Sequence, residues 1–187
     1  MSATLVIIDM QKALDDPRYG TRGQHDAEAN MARLLTHWRD LGNPVVHVRD
    51  NSLDPDSPYA PGKATHEFKP QLAPLQHEPI IDKQTNNAFI GTDLMQVLEE
   101  FGSSDLIVCG VHLHQCVEST VRMAGNLGFL VFLPEDCVIC VDVLDRKGNR
   151  WTADQVHDLT LAILDGDYCK VVSSADLMGS AADGVIH

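Results

Sequence analysis

Three short stretches of the chain are apolar almost without interruption rather than at every other position: TLVIID (4–9), DLIVCG (105–110) and FLVFLP (129–134). Strands covered by helices on both faces read this way, because neither face meets water. PVVHVRD (44–50), PIIDK (79–83) and KVVS (170–173) are weaker versions of the same signal and bring the expected strands to six. Between them the period changes from two to about 3.6. Over 26–41, Met31, Leu34, Leu35, Trp38 and Leu41 recur at three- and four-residue spacing, and Gly42 is a natural stop. Over 92–101, Thr92 is placed to cap, Leu94, Val97, Leu98 and Phe101 form the stripe, and Gly102 ends it. Val117, Val121, Ala124 and Leu127 share a face over 116–127. Thr152 and Gln155 have capping-box spacing at the head of 152–165, where Val156, Leu159 and Ile163 are expected to face inward.

Strand and helix alternate, which predicts an α/β domain with a mainly parallel sheet. Two segments break the rhythm. Residues 51–78 are dense in proline and polar side chains and too long for an ordinary connection, so they are either a functional wall or a plain surface excursion. Residues 135–151 read as a second long loop. In sheets of this kind ligands bind beyond the C-terminal ends of the strands. The residues at those ends are Asp9, Asp50, Lys83, the 110–116 turn and Asp136.

A length of 187 residues fits a single domain spanning 1–187 with a sizeable core. The formal net charge of −13, with no basic run, argues against nucleic acid as a partner. The apolar run near the N-terminus is too short for a signal peptide or a membrane span, which leads to the expectation of a cytoplasmic protein with no membrane partner. Five cysteines, an odd number, do not form a disulfide framework and are expected to be reduced. DMQKALDD after the first strand lacks the glycines of a phosphate-binding loop, against a dinucleotide-binding module. CVIC (137–140) has redox spacing but follows a strand and leads into a loop, so structural thiols are the better reading.

GVHLHQCVESTVRMAGNLG (110–128) puts Cys116 where a strand ends and a helix begins. A free thiol has a pKa of about 8.5, and a helix N-terminus or a nearby ammonium favours the thiolate. A carboxylate in reach can take the thiol proton and return it to a leaving group. Cys116, Lys83 and Asp9 come from three strand ends and supply these parts. Each has an ordinary use as well: strand-end aspartates cap helices, lysines reach solvent, and free cysteines are mostly buried hydrophobes. Cys109, Cys137, Cys140 and Cys169 are read in that last way.

The segments LVIIDMQ (5–11), IIDKQTNNAFIGTDL (80–94) and DLIVCGVHLHQCVESTVRMAGNLGFLVFLPED (105–136), taken together, resemble the isochorismatase-like family of cysteine hydrolases. HVRDNSLDPDSPYAPG (47–62) and the stretch 153–178 fit more loosely. The resemblance implies a three-layer α/β/α fold on a doubly wound sheet of about six strands. It also implies an Asp9–Lys83–Cys116 triad that attacks a small amide or related C–N electrophile and needs no cofactor. Asp9 would be base and then acid, Lys83 would favour the thiolate, and Cys116 would attack. A cis peptide at Val111–His112 is implied too, aiming the N–H groups of His112 and Cys116 at a developing oxyanion. Homo-oligomers, dimers or tetramers, are the family habit. Candidate substrate contacts are Gln11, Tyr19, Phe89, His112 and Leu113.

Three departures qualify the likeness. Leu113 stands where family members frequently have threonine. The metal-binding aspartate and histidines of nicotinamidases are not matched around Asp50 and His66, so no metal is expected. Isochorismatases that cleave a vinyl ether tend to lack the cysteine, and Cys116 therefore favours amide-type hydrolysis. The alternatives are Asp9-assisted vinyl ether hydrolysis and a non-catalytic binding protein on the same fold.

Overall fold

The computed structural model of the chain describes residues 3–182. The chain runs β1 (Thr4–Ile8), α1 (Ala27–Asp40), β2 (Val45–Asp50), β3 (Ile80–Lys83), α2 (Leu94–Glu100), β4 (Asp105–Val111), α3 (Glu118–Asn126), β5 (Leu130–Pro134), β6 (Val138–Ile139), β7 (Val143–Leu144), β8 (Arg150–Trp151), α4 (Ala153–Leu164), β9 (Lys170–Val172) and α5 (Ser174–Ala182). Six strands pair in the order β3-β2-β1-β4-β5-β9, and β6 adds to β4 as a seventh. All of these pairs are parallel.

The uninterrupted apolar runs are explained by two cores, one on each face of the sheet. Along β1, Leu5 and Ile7 pack with Met31, Leu34, Leu35 and Trp38 of α1 and Leu177 of α5. Val6 and Ile8 point the other way, to Leu94 and Leu98 of α2, Val121 of α3 and Leu161 of α4. With a side-chain period of two, every residue of such a strand is buried. The layers are therefore helix, sheet and helix.

The strand order reverses between β1 and β4, and their C-terminal ends form the crevice where this class of sheet binds ligands. Close approach there depends on Gly110, which pairs with Ile8 at φ +127°; a Cβ at that position would lie 2.1 Å from the Ile8 carbonyl oxygen. Gly110→Ala is accordingly expected to destabilise the fold by about 4 kcal/mol or more, read as loss of soluble protein or a collapsed denaturation midpoint. A Gly179→Ala control, where no atom lies within 4 Å, should be nearly silent.

Several expectations are corrected. In α4 the buried side chains are Ala153, Thr160, Leu161 and Leu164, while Leu159 and Ile163 are exposed. The segment carries two apolar stripes, and packing selected the other one. Leu41, Phe101 and Leu127 end their stripes on the surface. The 135–151 stretch is more ordered than a loop, with a 3-10 turn at Glu135–Cys137, β6, and the antiparallel β7–β8 ribbon. Helix α5 was not foreseen. The capping box at Thr152 and Gln155 is present in both directions. At α2, Asp93 makes no side-chain cap, and the Thr92 hydroxyl accepts from Leu94 N–H at 3.3 Å. Among the described residues no helix is long and apolar enough to cross a membrane.

Candidate active site

β1 ends at Ile8, and Asp9 turns into the left-handed region at φ 54°. Aspartate tolerates that conformation better than most residues because its short polar side chain bonds locally. Its N–H reaches Val48 O at 3.0 Å and its carbonyl accepts from Gln11 N–H at 2.7 Å, which fixes the carboxylate at the sheet edge. β3 is an edge strand that alternates, with Ile81 and Lys83 buried and Ile80 and Asp82 exposed. The lysine stem therefore runs inward across the end of the sheet. Its Nζ lies 2.7 Å from Asp9 Oδ2, 3.5 Å from Cys116 Sγ and 3.8 Å from Asp50 Oδ2.

Cys116 lies in a π-helical turn, Leu113–Val117, that leads into α3. The Val111–His112 peptide just before it is cis. Val117 N–H donates to His112 O at 3.2 Å, a five-residue closure that sets the wide turn. Thr120 Oγ1 donates to Cys116 O at 2.7 Å and accepts from Ala88 N–H at 3.0 Å, tying the segment after Lys83 to the cysteine. Asn86 Oδ1 lies 3.8 Å from the sulfur on the outer side. The three strand-end residues picked from the sequence are thus in mutual reach.

The electrostatics differ from the simple expectation of a resting thiolate. Burial, reinforced by the negative charge of Asp9, pushes the Cys116 thiol well above its ordinary pKa, and the opposing pull of Lys83 is smaller. Cys116 also precedes the first turn of α3 rather than opening it, which weakens the help from the helix dipole. Burial raises Asp9 to about 6 against the pull of Lys83. For Lys83, burial acts downward, but Asp9, Cys116 and Asp50 together hold it above its usual value. At neutral pH the resting set is therefore carboxylate, ammonium and neutral thiol. Asp9 Oδ1 is buried without a hydrogen-bond partner among the described residues, a free acceptor beside a proton donor.

The other expected contacts separate into two groups. Gln11 is fully buried, and its amide is consumed by the chain: Nε2 donates to Asp50 O and His66 O, and Oε1 accepts from Asp50 N–H. It latches strand ends and has no group left for a ligand. Leu113 is fully buried in the core below the site and offers no surface either. Phe89 is half-buried and stacks on Phe129, ring centroids 6.2 Å apart. Tyr19 is half-buried, its ring 5.2 Å from that of His112 just ahead of the cysteine turn.

Sequence reasoning missed Tyr59, which the 51–78 excursion folds in over the sheet edge until it is 5 % exposed. Its ring meets Tyr19 edge-on at 5.9 Å. The excursion is pinned by Lys69 to Asp15 and Glu28 (2.8 and 2.9 Å) and by Arg18 Nη1 to Asp56 O at 2.9 Å. It is a wall. The signal available was a single tyrosine bracketed by prolines in SPYAP. Among the described residues no group of three or more His, Cys, Asp or Glu side chains could hold a metal ion. A cavity of about 560 Å³ lies at the opposite end of the strands, lined by Arg39, Pro44, Glu78 and Phe101 among others, away from the sulfur.

Known proteins match the chain over most of its length. Residues 3–160 match the family model for the isochorismatase domain. A crystal structure of a hydrolase of the isochorismatase family from Chromobacterium violaceum superposes with a TM-score of 0.94 at 47 % identity, covering 97 % of this chain and 94 % of that one. An isochorismatase family protein of Bacillus subtilis, YrdC, is 32 % identical over 93 % of this chain and 93 % of its own length. Nicotinamidase 3 of Arabidopsis thaliana is 39 % identical over 96 % of this chain and 78 % of its own.

Proposed function

The chain belongs to the isochorismatase family of hydrolases, and from that premise we propose that it cleaves the C–N bond of a small amide with Cys116 as nucleophile. The observation that carries this reading is the position of Lys83 Nζ, 2.7 Å from Asp9 and 3.5 Å from Cys116, inside a buried site. The likeness to a protein named as a nicotinamidase supports the amide as the bond attacked.

In this reading Asp9 takes the thiol proton as Sγ forms a bond to the amide carbon. The carbonyl oxygen becomes an oxyanion held by the N–H groups of His112 and Cys116. Losing one donor of this kind typically costs about 10²–10³ in rate. Asp9 then passes the proton to the nitrogen, the C–N bond breaks and the amine leaves a thioester. Water adds to the thioester, giving a proton to Asp9, and the carboxylic acid departs as the proton returns to sulfur. Lys83 keeps Asp9 ionised before the transfer and offsets the charge on sulfur and oxygen during it. A resting neutral thiol is no obstacle, because the proton needs to move only once substrate is in place.

The pH profile tests the base. Asp9 must be a carboxylate to accept the proton, so kcat/KM on an uncharged amide should rise through about pH 6 and fall roughly tenfold per unit below it. Asp9→Asn keeps the left-handed backbone acceptable and should abolish both the activity and that limb. An acid limb unchanged in Asp9→Asn would assign the titration, and the base, to another group.

A further inference from the structure

Among the polar atoms buried without a hydrogen-bond partner in the described residues, four belong to Asp9, to the Cys116 turn and to the ring cluster packed on it: Asp9 Oδ1, the Tyr59 hydroxyl, His112 Nε2 and His114 Nδ1. Buried polar atoms are normally paired, and unpaired ones gathered at one place mark where the donors and acceptors of a ligand belong. Tyr59 and His112 flank Tyr19, with ring centroids 5.9 and 5.2 Å from it, so the three rings form one wall beside the nucleophile.

The charges facing this space do not balance. Asp9 and Asp50 are two carboxylates against the single ammonium of Lys83. Burial keeps His112, lowered to about 4, and His114 as neutral imidazoles, and holds the Tyr59 phenol protonated. The nearby guanidinium groups are committed elsewhere, Arg18 to Asp16 and Arg49 to Asp82. A substrate carboxylate placed at the sulfur would face Asp9 and Asp50 with the Lys83 ammonium already shared between them. Desolvating an unpaired charge is strongly unfavourable.

Resting on the cysteine-hydrolase reading, we propose that the site selects uncharged carboxamides over anionic ones, with the Tyr59 hydroxyl donating a hydrogen bond to the bound amide. The selection comes from Asp50, the surplus carboxylate, and the orientation from Tyr59.

Two alkylating reagents of nearly equal shape test this on the intact chain without a known substrate. Iodoacetamide is an uncharged amide and iodoacetate is its anionic counterpart. With either, a bond forms from Sγ to carbon, the C–I bond breaks, iodide leaves and the thiol proton passes to Asp9. Rates at Cys116 are read by peptide mass and divided by the rate for free cysteine, which removes intrinsic reactivity. Iodoacetamide should lead by about 10- to 100-fold, the scale of one uncompensated charge a few ångströms away in a protein site. Asp50→Asn should narrow that ratio by about tenfold, and Tyr59→Phe should slow iodoacetamide roughly three- to tenfold with an unchanged melting temperature. Equal normalised rates, or faster iodoacetate, would overturn the selection while leaving Cys116 as nucleophile. An unaltered iodoacetamide rate in Tyr59→Phe would remove the tyrosine from it. No adduct at Cys116 with either reagent would remove the cysteine-hydrolase reading and this inference together.

Discussion

Cys116→Ala should lower kcat/KM on an amide substrate by about 10⁴-fold or more, because covalent catalysis loses its nucleophile and nothing else in the site can form the acyl intermediate. The cost to the fold should be small, about 1 kcal/mol. The change removes one sulfur atom from a side chain at the margin of the buried core, with Lys83 Nζ at 3.5 Å and Asn86 Oδ1 at 3.8 Å as its polar neighbours. A denaturation midpoint near that of the wild type, beside lost turnover, is the expected pair of results. Cys109, Cys137, Cys140 and Cys169 are buried free thiols, and burial raises the pKa of each. Their alanine variants should keep kcat/KM within a few-fold. Turnover retained in Cys116→Ala but lost in Asp9→Asn would replace the mechanism with Asp9-assisted addition of water, as for a vinyl ether.

Lys83→Met should damage both stability and catalysis, for one electrostatic reason. The Lys83 side chain is fully buried, and its ammonium contacts Asp9 at 2.7 Å. Removing one member of a buried ion pair leaves the other charge uncompensated, at a cost of about 3–5 kcal/mol. Burial already raises Asp9 to about 6, and Lys83 is the main influence opposing it. Without that ammonium the carboxyl should hold its proton at neutral pH, so the base is lost and kcat should fall by about 10³-fold or more. The double variant Asp9→Asn/Lys83→Met separates the two effects. With the buried Asp9 charge gone, and only the part-exposed Asp50 left without the ammonium, it should regain much of the lost stability in chemical denaturation, and none of the activity. A Lys83→Met protein as stable and as active as the wild type would show that the 2.7 Å contact carries neither role.

The readable and unreadable parts of this chain differ in the range of the forces behind them. β1, β4 and β5 were legible because burial on both faces imposes an apolar residue at nearly every step. The Thr152–Gln155 box was legible because both of its hydrogen bonds close within four residues. Leu159 and Ile163 misled because α4 carries two apolar stripes, and the choice between them lies in what packs against the helix. Gln11 and Leu113 lie close to Asp9 and Cys116 in sequence, but their side chains are taken up by the scaffold. Tyr59 lies 50 residues from Asp9 in the chain, and its burial against Tyr19 follows from how the 51–78 excursion is held down, by Lys69 and Arg18 among others.

Local pattern and chemistry were enough to establish an α/β chain with a parallel sheet and to offer Asp9, Lys83 and Cys116 as candidates at strand ends, while their grouping as a triad came from the family resemblance. Side-chain identity and period survive in a linear string, so those features could be read there. Folding supplied the 2.7 and 3.5 Å contacts, the neutral state of the thiol and the surplus of negative charge beside it. Distances across a sheet edge and the loss of water around a charge are properties of packed neighbours, and no residue carries them alone.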